Sequence, residues 1–106
     1  MPLEKHAEAS IVRWVKSQGG HALKLKIEGQ RGFPDRTLFL PGAILLFVEA
    51  KREDGGVISQ RQTYWVETLL SLGFHAIFAT SLYEVQREVA RISDARLSKS
   101  GCALES

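Results

Sequence analysis

A chain of 106 residues, 44% hydrophobic and 25% charged, has the make-up of one globular domain, which excludes a disordered or collagen-like chain and leaves no room for a second domain. Its net charge of +2 is too mild to establish nucleic-acid binding by itself, and one cysteine with three scattered histidines excludes an internal disulfide or a zinc cluster. The longest uncharged apolar run, residues 43–48, falls far short of the ~20 residues that cross a bilayer, so no membrane partner is expected. The polar N-terminal decapeptide lacks the apolar stretch of a secretory signal, which makes the cytoplasm the expected location.

In chain order, Leu3, Ala7, Ile11, Trp14 and Val15 recur at three and four, which predicts a helix over residues 3–18 closed by Gly19 and Gly20. Residues 21–27 read as a strand near an edge and residues 28–32 as a loop. Two apolar runs, residues 35–40 and 44–50, flank Pro41, Gly42 and Ala43 in the pattern of a hairpin. Both runs are apolar at odd and even positions, so helices should cover both faces of their sheet. Ser59 followed by Gln62 fits a capping box opening a helix over residues 59–72, which Gly73 ends. Residues 74–80 form a buried strand. Ser81 with Glu84 makes a second capping box before a helix to about Ile92. The expected class is α/β, a four-stranded mixed sheet flanked by helices in the order α-β-β-β-α-β-α. Residues 1–92 form the domain, and residues 93–106 are expected as a loosely held tail or an arm that orders against a partner.

With Gly42 at the centre of the hairpin, paired positions sum to 84, which sets Asp35 opposite Glu49. Like charges so placed, with Cβ atoms ~5 Å apart, repel one another. A divalent cation relieves that repulsion, because paired carboxylates are hard oxygen ligands suited to Mg²⁺ or Mn²⁺. Lys51 lies two residues beyond Glu49 and shares its face, whereas Ala50 points into the core. Two acids and a lysine on one short strand pair suit metal-assisted hydrolysis of a phosphodiester. The plain structural alternative is a half-exposed salt bridge from Lys51 to Glu49 or Asp35.

Gly32-Phe33-Pro34-Asp35-Arg36 followed by Glu49-Ala50-Lys51 resembles the GxPDR and ExK motifs of the VRR-NUC domain, a branch of the PD-(D/E)XK nucleases. The stretch Val57-Ile58-Ser59-Gln60-Arg61-Gln62, then Trp65, Leu69 and Gly73, is similar to that family's segment after the active strand. The resemblance implies a restriction-endonuclease-like core, Mg²⁺ dependence with Mn²⁺ able to substitute, and cleavage of DNA. Stand-alone members resemble Holliday junction resolvases that act as homodimers on branched DNA. The resemblance further implies that Asp35, Glu49 and the carbonyl of Ala50 are metal ligands and that Lys51 is the catalytic lysine. Glu8 is the expected helix-borne acid and a further metal ligand, with Glu4, one turn earlier, as the competing choice. Gln62 matches the family's glutamine, a role compatible with holding the helix terminus.

Among the remaining residues, Pro34 presets an extended approach to Asp35. Arg36, on the opposite face of a strand otherwise apolar there, is expected to anchor a partner or a loop carboxylate. Trp14, Phe39, Phe47, Tyr64 and Trp65 read as core, not as stacking platforms. The functional rivals to a junction resolvase are a flap or single-stranded-end nuclease with the same site, and a DNA-binding module that cuts nothing.

Overall fold

The computed structural model describes residues 3–51 and 58–105, with side chains described at 7–51 and 58–97. Its elements are α1 (Leu3–Ser17), β1 (His21–Leu23), β2 (Arg36–Leu40), β3 (Ile44–Ala50), α2 (Gln60–Ser71), β4 (His75–Ala79) and α3 (Leu82–Glu105). The four strands form one sheet in the order β1-β2-β3-β4, antiparallel except for the parallel pair of β3 and β4. Parallel pairing needs a crossover, and α2 provides it.

Parity along the strands divides the interior into two layers. Leu38, Leu40, Ile44, Leu46 and Val48 pack with Ile11 and Val15 of α1 and Val85 and Ile92 of α3. On the other face Phe47 and Ala76 pack with Val66 and Leu69 of α2. Helices therefore cover both faces, as the doubly apolar strands require. No helix of the described residues is long and apolar enough to cross a membrane.

The hairpin takes the expected register, with Leu40 opposite Ile44 and Arg36 opposite Val48. Gly42 turns the chain at φ +87°, a conformation that costs glycine little. The ladder stops one residue short of Asp35, where the sequence pattern starts the strand. Its continuation would place residue 34 opposite Ala50, and proline has no N–H to give. The Ala50 amide turns instead to Asp35 Oδ2 at 3.3 Å.

The same break shortens β1. Residues 24–27, expected to extend that strand, would need partners at 36 and below, where the ladder is ending; β1 closes at Leu23 opposite Thr37. The last helix departs from expectation in the other direction. It does not end near Ile92, and its backbone runs to Glu105. Ala95, Arg96 and Leu97 are good helix formers, and Arg96 donates to the Gly42 carbonyl in the hairpin turn.

Candidate active site

The start of β2, the end of β3 and the first turn of α2 meet at one end of the sheet. Parity puts Glu49 and Lys51 on the α2 side, and the core on the far side holds the strand in register. Glu49 is 3% exposed and Lys51 9%, burial that charged groups tolerate only with partners. Gln62 supplies one to each. Its Nε2 donates to Glu49 Oε2 at 2.6 Å, and its Oε1 accepts from Lys51 Nζ at 2.9 Å. Lys51 Nζ also lies 3.8 Å from Glu49 Oε2. The Lys51 amide donates to the Ala79 carbonyl at 2.7 Å, tying the end of β3 to β4.

Gln62 performs both of the roles that its position allows. Ser59 Oγ accepts from the Gln62 amide at 3.1 Å, and Gln62 Oε1 accepts from the Ser59 amide at 3.0 Å, completing the capping box. One side chain thus locks the start of α2 and bridges an acid and a base.

Asp35 stands beside Glu49, as the hairpin arithmetic requires. Burial, the neighbouring charge of Asp35 and a hydrogen bond to it push the Glu49 carboxyl from 4.5 up to about 8, against the opposing pull of Lys51. An acid kept neutral by burial and by a neighbouring acid is the state that a divalent cation would relieve. The backbone adds a third oxygen. The Ala50 amide points toward β2, and its carbonyl therefore points the same way, to where Pro34 has no N–H to offer. Two carboxylates and an oriented carbonyl suit Mg²⁺ or Mn²⁺.

Glu8 does not join this group. It lies on the α1 side of the sheet, where its Oε2 accepts from Arg36 Nε at 2.6 Å and sits 3.8 Å from Lys24 Nζ. The expected helix-borne ligand is instead the carboxylate that anchors Arg36, because residue 36 has the opposite parity to residue 35 and faces the helix. The side chain of Glu4 lies outside the described residues. Among those described, no group of three or more acids, histidines or cysteines could hold a metal ion, so the described side chains offer the cation the two carboxylates of Asp35 and Glu49.

Two aromatic residues read as core are exposed: Phe39 at 43% and Tyr64 at 60%. Phe39 has the parity of the α2 face but lies on β2, away from the strands that α2 covers. Tyr64 meets Trp65 edge to face on the outer side of its helix. Sequence reading also missed the role of the segment before Asp35. Trp65 Nε1 donates to the Arg31 carbonyl at 3.0 Å, and Phe33 packs edge to face on Phe47 and Trp65. Gly32, at φ +81°, lies so close to α2 that a Cβ would stand 2.6 Å from Arg61 Cβ. The glycine of the Gly-Phe-Pro-Asp-Arg run is thus required for docking this segment on the helix turn that carries Gln62.

No family model matches the chain. Over 49 residues it is 43% identical to the protein named "Putative nuclease p44" of Acyrthosiphon pisum secondary endosymbiont phage 1, a match covering 46% of this chain and 48% of that one. The chain spans about half the length of this curated relative. A solved structure described as a VRR_NUC domain superposes with a TM-score of 0.75 at 23% identity, covering 85% of this chain and 97% of the other. The two share a fold, the mixed four-stranded sheet flanked by helices.

Proposed function

We propose that this chain, having the fold of a VRR_NUC domain, is a metal-dependent endonuclease that hydrolyses DNA phosphodiesters, with branched junctions as its substrate. The observation that carries the reading is the buried Glu49 held against Asp35, with Lys51 bound to the same glutamine. A metal-free structural role would favour removal of one acid, since the pair raises the cost of burial.

Asp35, Glu49 and the Ala50 carbonyl would hold Mg²⁺, with Mn²⁺ as a substitute. The chemistry that a bound divalent cation supplies is Lewis acidity toward water and phosphoryl oxygens. Lys51 supplies a compact positive charge that orients the attacking water and stabilises charge developing on the phosphate. Gln62 keeps the Lys51 ammonium and the Glu49 carboxylate in one orientation, so neither must reorganise during reaction. Exposed Lys26, Arg31 and Arg61 lie on the segments adjoining the site and would provide phosphate contacts.

Gln62→Ala is expected to lower cleavage about 10- to 100-fold, the usual effect of losing a residue that orients a metal ligand. Loss of the capping box would also cost ~1 kcal/mol of stability. Gln62→Glu retains the acceptor for Ser59 but adds a third negative charge. A cleavage defect in both variants, read beside thermal melts, separates orientation from capping; full activity in Gln62→Ala would remove that role.

A junction carries two strands to cut, and the described residues of each chain supply one acid pair, so resolution calls for a homodimer. The decisive experiment is cleavage of labelled junction, flap and plain duplex with Mg²⁺ or EDTA, beside a measurement of molecular mass. Paired nicks in the junction by a dimer, dependent on Mg²⁺, are expected. Flap cutting by a monomer would replace the substrate assignment, and DNA binding without cutting under either condition would overturn the nuclease reading.

A further inference from the structure

The segment between β1 and β2 has two unlike halves. Its second half is clamped to α2 through Arg31, Gly32 and Phe33. Its first half leaves Leu25 and Ile27 39% and 41% exposed, on the wall of a hollow of about 540 Å³ that Lys26, Glu28, Gln30, Gly32 and Phe33 complete. That volume lies within the ~300–1,000 Å³ range of small-ligand pockets.

We propose that this hollow receives a nucleobase unpaired in the DNA, next to the phosphodiester to be cut. The proposal rests on the nuclease reading above and adds to it the feature that recognises an interrupted duplex. Four properties of the hollow support it. Leu25, Ile27 and Phe33 form apolar walls, which grip the faces of an extruded base as apolar side chains do when a base leaves its stack. Gln30 carries both a donor and an acceptor for a base edge. Lys26 and Glu28 balance one another in the lining, so the hollow is electrically neutral and suits an uncharged base. Finally, only Phe33 and Pro34 separate Gly32 from Asp35, at most ~11 Å of chain, or about three stacked nucleotides.

Because the clamped half joins the hollow to the helix turn bearing Gln62, a base seated there fixes the backbone relative to Asp35 and Glu49. A continuous duplex keeps its bases stacked and would leave the hollow empty. Junctions, flaps and bulges offer a base at little cost.

The test measures binding of the full chain in EDTA, where no cutting occurs, to three probes: a perfect duplex, the same duplex with one extra unpaired adenine, and the same duplex with an abasic extra position. The protein is expected to bind the extra adenine about tenfold more tightly than the abasic probe, a modest share of the energy of seating one base. Leu25→Asn with Ile27→Asn should bring that ratio to about one and leave perfect-duplex affinity within about twofold. Leu25→Met, which preserves the apolar wall, should keep the preference, and thermal melts of both proteins verify folding. Equal affinity for adenine and abasic probes, or a preference that survives the double substitution, would overturn the proposal. Equal affinities alongside Mg²⁺-dependent cleavage would overturn the hollow alone, whereas no binding to any probe would take the nuclease reading down with it.

Discussion

Asp35→Asn and Glu49→Gln are each expected to lower DNA cleavage by at least about a thousandfold while leaving DNA affinity nearly unchanged. The magnitude follows from what is lost. Two carboxylates are the only side-chain ligands that the described residues bring to the site, and each substitution halves that charge, removing several kcal/mol of transition-state stabilisation. Affinity should survive because the proposed phosphate contacts of Lys26, Arg31 and Arg61 do not depend on the metal. Glu49→Gln is the cleaner variant, since an amide oxygen at residue 49 can still accept from Gln62 Nε2, the contact now made at 2.6 Å. Single-turnover cleavage and equilibrium binding on one labelled junction measure both quantities. Full activity in either protein would remove that residue from the mechanism.

The second large effect is on stability. Glu49 titrates near 4.5 unfolded and at about 8 in the folded chain. Between those values the folded state holds a proton that the unfolded state has lost, so stability is fully present below about pH 4.5 and declines as pH rises toward 8. Each pKa unit corresponds to ~1.4 kcal/mol, so even half of this displacement is a large share of a small domain's stability. Glu84 and Glu88 are held below 4.5, mainly by hydrogen bonds to Thr80 and Arg91 respectively. Their contributions are lost only as pH falls through those lowered values, outside this window. Melting temperature in EDTA should therefore fall from pH 5 to 8.5, and Glu49→Gln should flatten that slope and melt higher than the parent at pH 8.5. Because a cation displaces the proton, Mg²⁺ should raise the melting temperature more at pH 8 than at pH 6. Identical pH slopes for the parent and Glu49→Gln would contradict a raised Glu49.

The acid pair was legible because it depends on local geometry. A strand alternates faces every two residues and a short hairpin has one centre, so the spacing of Asp35, Gly42, Glu49 and Lys51 suffices to bring three side chains together. Gln62 was half legible: its spacing from Ser59 announces a cap, but its bridge from Glu49 to Lys51 depends on where α2 docks. Glu8 was misread for a related reason. Helical periodicity identifies which side of α1 is buried and says nothing of which face of the sheet it will meet, and α1 meets the face of Arg36. The short β1 was concealed because a run of alternating Leu and Lys looks like a strand whether or not a neighbouring ladder exists to pair with it.

By itself, the sequence determined the order of helices and strands, the hairpin register, the facing carboxylates with their lysine and the capping serine, since each follows from periodicity or turn chemistry within a few residues. Only the tertiary structure decided that Glu8 serves Arg36, that Gln62 joins the acid to the base, and that Gly32 must be glycine to dock on α2. Those outcomes arise from contacts between segments distant along the chain, where packing and burial, not local preference, select the partner.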